Sequence, residues 1–209
     1  MAAVFETKRK DLIEAIRQFQ PAFDVQLGDD VIDRLAVYYA LVQEHNEFLH
    51  LVAPCSTEEF AIRHILESLT LLEHLPHGAK FADVGAGAGL PSIPCLLVRV
   101  DLGALLIESK EKKTKFLERA IKKLGIDDRA NVVTMQFQEV DPAGCQAITC
   151  RALDKFTEKL PRLIKWSMRR PMLLFGGPNL RDALRAEKLV FLEKLMAESE
   201  QRYLFVLNR

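Results

Sequence analysis

Apolar positions repeat at helical spacing through the first 75 residues, and no strand-like alternation interrupts them before Lys80. Residues 5–19 are amphipathic, and Asp29-Asp30 is placed to cap a helix running from Val31 to about His50. S-T-E-E-F from Ser56 has the form of a capping box. The helix it opens carries Ile62, Ile65, Leu66, Leu69 and Leu72 on one side and stops at Pro76-His77-Gly78. After Lys80 short apolar runs alternate with helical stretches, the order that a parallel sheet with crossover helices requires. Strands are expected near 80–84, 103–108, 131–135, 146–150, 171–175 and 202–207, with helices over about 91–99, 110–124 and 154–168. Residues 178–200 read two ways, because Pro178-Asn179 starts a helix whereas K-L-V-F-L has strand character. The expectation is an α/β chain with a helical cap over 1–78 and a sheet domain over 79–209, packed as one unit.

A length of 209 residues suits such a unit with a full core, and 49% hydrophobic against 28% charged residues leaves no room for a long disordered tract. Cys55, Cys95, Cys145 and Cys150 show no C-x-x-C pair and no nearby histidines at zinc spacing, so they read as reduced packing thiols and no metal is expected. Charges occupy the place of a signal peptide's apolar core, and no apolar run is long enough to span a bilayer. A cytoplasmic monomer without membrane contact is the expectation. The net charge is zero, yet the basic residues are clustered. Lys110, Lys112, Lys113, Lys115, Arg119, Lys122 and Lys123 face three acids between 108 and 123, and seven more cations face two acids between 151 and 170. Such runs read either as solvated helix faces or as surfaces for a polyanion.

The stretch F-A-D-V-G-A-G-A-G-L-P-S-I-P, 81–94, places Gly85, Gly87 and Gly89 between a strand and a helix start, where backbone can approach a ligand closely. Its G-x-G-x-G spacing differs from the G-x-G-x-x-G of pyrophosphate-binding turns. Asp83 before the turn favours a ligand with an ammonium or sulfonium group. Glu108 ends the next apolar run 23 residues after Gly85, where such folds hold ribose hydroxyls. Together these residues point to S-adenosylmethionine. Pro91 and Pro94 are tolerated in the first turn of the following helix.

D-V-G-A-G-A-G-L-P-S-I-P, with E-H-N-E-F-L-H-L-V and R-H-I-L-E-S-L upstream and L-L-I-E-S-K-E-K-K-T-K-F-L and T-C-R-A-L downstream, resembles the RsmG (GidB) family over residues 30–175. Members of that family are bacterial 16S rRNA guanine-N7 methyltransferases. The resemblance implies a class I, Rossmann-like AdoMet-dependent methyltransferase sheet with helices on both faces, and 16S rRNA or the small ribosomal subunit as partner. It implies a cofactor site of Asp83, Gly85, Gly87, Gly89, Leu90, Glu108 and Ser109, with Gln138 and Glu139 flanking the adenine and Arg151 reaching in from the fourth strand. Arg151 is also the candidate for positioning the substrate, its other reading being a salt bridge to Asp154 or Glu139. Lys110, Lys112, Lys113, Lys115, Arg119, Arg162 and Lys165 are the candidate RNA contacts. Two positions depart from the family pattern: Phe137-Gln138 precede Glu139 without the usual arginine, and Gly176 stands where a lysine is usual. Guanine N7 needs no general base, so no catalytic dyad is expected; His64 reads as a packing residue before a catalyst, and Trp166 as packing before base stacking. Another RNA position, a small-molecule substrate, or an inactive AdoMet- or RNA-binding role stay open as alternatives.

Overall fold

The computed structural model describes residues 2–151, 153 and 155–208, with Ala2–Phe5 by backbone alone. Its strands are β1 (Lys80–Val84), β2 (Gly103–Glu108), β3 (Ala130–Thr134), β4 (Ala147–Cys150), β5 (Met172–Gly176), β6 (Leu192–Leu195) and β7 (Tyr203–Leu207). The helices are α1 (Ala2–Phe19), α2 (Asp29–Leu49), α3 (Thr57–Glu59), α4 (Glu67–Leu69), α5 (Ser92–Val98), α6 (Glu111–Lys123), α7 (Phe156–Trp166) and α8 (Pro178–Ala186). All seven strands form one sheet in the order β3-β2-β1-β4-β5-β7-β6. The first five run parallel, and β7 lies antiparallel to both β5 and β6.

Strand alternation sorts the apolar side chains onto two faces. Phe81, Leu173, Phe175, Leu204 and Val206 pack with the N-terminal helices, α5 and α6 in one buried cluster. Ala82, Val84, Met172, Leu174, Phe205 and Leu207 pack on the other face with Leu160 and Leu163 of α7 and Leu180 and Leu184 of α8. Parallel strands covered on both faces have near-continuous apolar sequences, as in β1, β4 and β5. Helix α6 is amphipathic: Phe116, Leu117, Ala120 and Ile121 are buried at helical spacing, while Lys112, Lys115, Lys122 and Lys123 point to solvent.

The cap shares its core with the sheet. Helix α2 packs on α5 and α6, and the buried Tyr38 hydroxyl donates to Ala88 O at 2.9 Å, fastening the cap to the turn after β1. Ser56 Oγ accepts from the Glu59 amide and Glu59 Oε2 accepts from the Ser56 amide, both at 3.0 Å, so the S-x-x-E pattern forms its capping box. The helix it opens is not uniform. A π turn, Phe60–Leu66, separates α3 from α4, and a 3-10 turn, Thr70–His74, follows. Residues 178–200 resolve as α8 and then the edge strand β6, which starts at the end of K-L-V-F-L and pairs only with β7. Because β6 is short, mostly solvent-exposed and carries two adjacent charged residues in place of apolar–polar alternation, its sequence carries little strand signal.

Candidate cofactor and substrate cleft

Beyond the carboxyl ends of β1, β2, β4 and β5 a cleft of about 670 Å³ opens beneath the cap. The chain leaves β1 toward β2 on one side and β4 lies on the other, the switch point at which open α/β sheets bind ligands. Gly85, Ala86, Gly87 and Leu90 line it from the turn after β1, and Glu108, Ser109 and Lys110 from the end of β2.

Two glycines of the turn have different work. Gly87 sits at φ +53°, and a Cβ there would meet only Gly85 O at 3.6 Å, so its bare backbone faces open space that a ligand can enter. Gly89, at φ +88°, lies outside the cleft lining; a Cβ there would collide with the Ile93 side chain and come within 3.2 Å of Leu117 Cδ2. Gly89 therefore lets α5 and α6 pack against the turn, and it lies apart from the lining glycines Gly85 and Gly87.

The acids also divide. Glu108 is buried at the rim, with Oε2 accepting from the Gly87 amide at 3.1 Å and Oε1 from the Lys110 amide at 2.8 Å. Each oxygen keeps a lone pair for a hydroxyl donor. Asp83 instead points into the α5 layer, fully buried, where Oδ2 accepts from Ser92 Oγ at 2.6 Å and Oδ1 has no partner among the described residues. Burial is the main cause that raises its pKa from 3.8 to about 7, opposed by the Ser92 hydrogen bonds. It does not line the cleft, because strand alternation directs its side chain at Ser92 of α5. Ser92 occupies a place where the resembled family has glycine, and its hydroxyl is what engages this carboxyl group.

On the opposite wall Arg151, at the end of β4, is held by three acceptors. Its Nη1 donates to Ser68 Oγ at 3.2 Å, and its Nη2 donates to the Arg63 carbonyl and to Glu67 Oε2 at 3.1 Å. The guanidinium also lies over the Phe175 ring, 5.3 Å from its centroid. Burial pulls its pKa down, countered chiefly by Glu67. Its ion-pair partner is thus Glu67; Glu139 lies elsewhere, and Asp154 falls outside the described residues. Glu67 is 1% exposed, and its other oxygen accepts from Arg202 Nε at 2.6 Å. One carboxylate of the cap thereby binds the ends of β4 and β7. The π turn brings Arg63, His64 and Glu67 to the cleft, a common use of such turns. His64 has its pKa pushed down to about 3, first by burial and then by Arg151, Arg63 and Arg202, and its ring packs edge-on against Phe60.

The structure brings Gly85, Gly87, Leu90, Glu108, Ser109, Lys110, Lys113 and Arg151 together around the cleft. Gln138 and Glu139 are exposed outside its lining, contrary to expectation. Residues Phe137–Glu139 form a 3-10 turn in which Glu139 Oε2 accepts from the Gln136 amide at 3.1 Å, turning both side chains away. Met135, Gln136 and Phe137 line the cleft in their stead. Phe137, at the position of the family arginine, is buried edge-on against Trp166 with centroids 5.5 Å apart, and the indole Nε1 donates to Val140 O. Trp166 is therefore a packing residue. Lys112, Lys115, Arg119, Arg162 and Lys165 are exposed outside the cleft, with Lys115 paired to Glu111 at 2.7 Å and Arg119 hydrogen-bonded to His45. Sequence reasoning missed Lys159, Phe175 and Arg202 as lining residues. Only the β5–β7 pairing, Gly176 with Tyr203, reveals that Arg202 lies beside the position where the family lysine is absent.

The sheet order, the glycine turn and the acidic tip of β2 define a Rossmann-like methyltransferase, the class that uses S-adenosylmethionine. A family model described as rRNA small subunit methyltransferase G (GidB) matches residues 31–198. The Ribosomal RNA small subunit methyltransferase G of Neisseria meningitidis serogroup B is 31% identical over 164 residues, 78% of this chain and 76% of the relative. That of Chromobacterium violaceum is 34% identical over 135 residues, 64% of each chain. This chain belongs to the rRNA small subunit methyltransferase G (GidB) family. Among solved structures, the N-terminal domain of human METTL16 in complex with SAH has a TM-score of 0.56 at 14% identity, covering 94% of this chain and 93% of that one. An RNA methyltransferase from Salinibacter ruber in complex with S-adenosyl-L-homocysteine has a TM-score of 0.51 at 14% identity, covering 68% and 88%. These two likenesses concern the fold.

Proposed function

We propose that this chain transfers a methyl group from S-adenosylmethionine to N7 of one guanine in 16S ribosomal RNA. The observation that carries the reading is the meeting, in one cleft, of the Gly87–Glu108 cradle with the fixed guanidinium of Arg151. The open space over Gly87 and the free lone pairs of Glu108 fit an adenosyl group, and the cleft volume lies in the range of small-molecule sites. Bound there, S-adenosylmethionine supplies an electrophilic methyl group on a sulfonium.

Guanine N7 presents an in-plane lone pair and has no proton to lose, so the residues' task is orientation. Holding two reactants in line can lower a barrier by ~7–11 kcal/mol. Gly85, Gly87 and Glu108 would hold the adenosyl end. Arg151 would meet guanine O6 or a phosphate, since its Nε and one Nη1 hydrogen have no partner among the described residues. Phe175 and Leu90 offer apolar walls that exclude water. His64, with its pKa pushed down to about 3, is a weak base whose cation is absent near neutrality, which agrees with chemistry that needs no acid–base residue. Six cations line the cleft (Arg63, Lys110, Lys113, Arg151, Lys159, Arg202) against the carboxylates of Glu67 and Glu108. That surplus favours a polyanionic substrate over a neutral small molecule. The target guanine has to be unpaired or turned out to enter.

The test is to incubate the protein with methyl-labelled S-adenosylmethionine and small ribosomal subunits or naked 16S rRNA lacking the modification, then digest and map the label. Label on guanine N7 is the expected result. Label at another atom, or cofactor binding without transfer to either RNA, overturns the reading.

A further inference from the structure

Phe48, near the end of α2, is 79% exposed and is the single aromatic among the exposed large hydrophobic side chains of the described residues. It borders a recess of about 390 Å³ whose other walls include His50, Lys110, Lys112 and Lys113. Lys110 and Lys113 also line the main cleft, so the recess adjoins the cleft mouth across these two residues. Lys113 Nζ donates to His50 O at 3.2 Å, joining the end of the cap helix to the start of α6. No described carboxylate lies within ion-pair distance of Lys110, Lys112 or Lys113. Glu111, the one acid on the rim, has its charge matched by Lys115 at 2.7 Å. Lys113 is in addition partly desolvated, which lowers its pKa and makes a neighbouring anion favourable.

We infer that this recess is a second nucleotide subsite, which takes an unpaired nucleotide flanking the methylated guanine, with its base stacked on Phe48 and its phosphates on Lys110, Lys112 and Lys113. The inference rests on the RNA reading above. A solitary ring surrounded by unpaired lysines lacks the contiguous apolar surface that a docking protein would bury. It has both parts that single-stranded nucleic acid uses, a flat aromatic face for a base and cations for the backbone beside it. Stacking accepts any base, so the subsite would add affinity and register rather than sequence choice. Lys110 and Lys113, which face both sites, would set one strand across them.

The experiment compares wild type with Phe48→Ala, Phe48→Trp and Lys112→Ala. Affinity for a fluorescent 16S rRNA transcript is measured by anisotropy, and steady-state methyl transfer to the same RNA is followed in parallel. Phe48→Ala should weaken RNA affinity about 5-fold or more, the loss expected for one stacked base, and raise KM for RNA rather than lower kcat. Phe48→Trp should restore binding, and Lys112→Ala should flatten the dependence of affinity on salt. S-adenosylmethionine affinity and melting temperature serve as the check on folding and should match wild type in all three. RNA affinity unchanged in Phe48→Ala overturns the subsite, whether or not the wild type transfers methyl groups. Failure of the wild type to methylate, with RNA binding still dependent on Phe48, instead overturns the guanine-N7 reading and leaves the subsite standing. A photo-crosslinking residue at position 48 should capture rRNA in reconstituted small subunits; capture of a ribosomal protein alone overturns the inference.

Discussion

Glu67 and Arg151 form an ion pair of 3.1 Å across the boundary between the helical cap and the sheet, with the glutamate almost entirely removed from solvent. Because Arg202 shares the same carboxylate at 2.6 Å, losing Glu67 strands two guanidinium groups, whereas losing Arg151 still leaves the acid paired.

Glu67→Ala should therefore cost about 3–5 kcal/mol of stability, the range for breaking a buried pair by removing one partner. Arg151→Ala should cost clearly less in folding and reduce methyl transfer by roughly 10- to 100-fold, as loss of a hydrogen bond to a charged group would. Urea denaturation and labelled-methyl assays on both variants measure this. Equal stability losses with normal transfer in Arg151→Ala would reduce the arginine to a structural strut.

The two glycines of the turn predict opposite failures. Gly87→Val should abolish binding of S-adenosylmethionine in titration calorimetry, since the side chain would project where only Gly85 O stands nearby, at 3.6 Å. Its folding cost is limited to placing a side chain at positive φ, ~1–2 kcal/mol. Gly89→Ala should instead lower the melting temperature markedly, because its Cβ has no room beside Ile93 and Leu117. Unchanged affinity in Gly87→Val would remove the turn from the cofactor site.

The sheet was legible because its code is local: apolar runs between helices, a glycine turn and proline-tolerant helix starts each follow from neighbouring residues. The register of β1 with β2 and β4 then carries Gly87 to Glu108, so that half of the cleft was legible too. What stayed hidden depends on side-chain direction and on distant pairing. Asp83 lies in sequence like a ligand contact, yet strand alternation aims it at Ser92. Gln138 and Glu139 are turned outward by a three-residue 3-10 turn that periodicity cannot reveal. Arg202 reaches the cleft through an antiparallel pairing with β5, and the recess beside Phe48 joins distant elements, as the contact between His50 and Lys113, 63 residues apart, illustrates.

Glu108→Gln tests the rim of the cradle. The carboxylate accepts from two backbone amides, and an amide side chain would turn one acceptor into a donor facing Gly87 or Lys110. Affinity for S-adenosylmethionine should fall roughly 10- to 100-fold, equivalent to the ~1.5–3 kcal/mol of hydrogen bonds to a charged group. Calorimetry that finds no change would mean the ribose is held elsewhere.

Asp83 makes a prediction about pH whose sign follows from its burial. Its folded pKa, raised from 3.8 to about 7, means that between those values the native chain binds a proton that the unfolded chain has released. Stability from this group is therefore fully present below about pH 4, falls as pH rises through the window to 7, and stays level above it. Asp83→Asn keeps an acceptor for Ser92 Oγ and removes the titration, so the variant should gain on wild type across that window, by on the order of a few kcal/mol. Urea unfolding of both proteins at pH 4.5, 6 and 8 measures the difference. A constant difference would mean that the folded carboxylate keeps its charge throughout, and Oδ1, which has no partner among the described residues, must then be satisfied by a donor such as water.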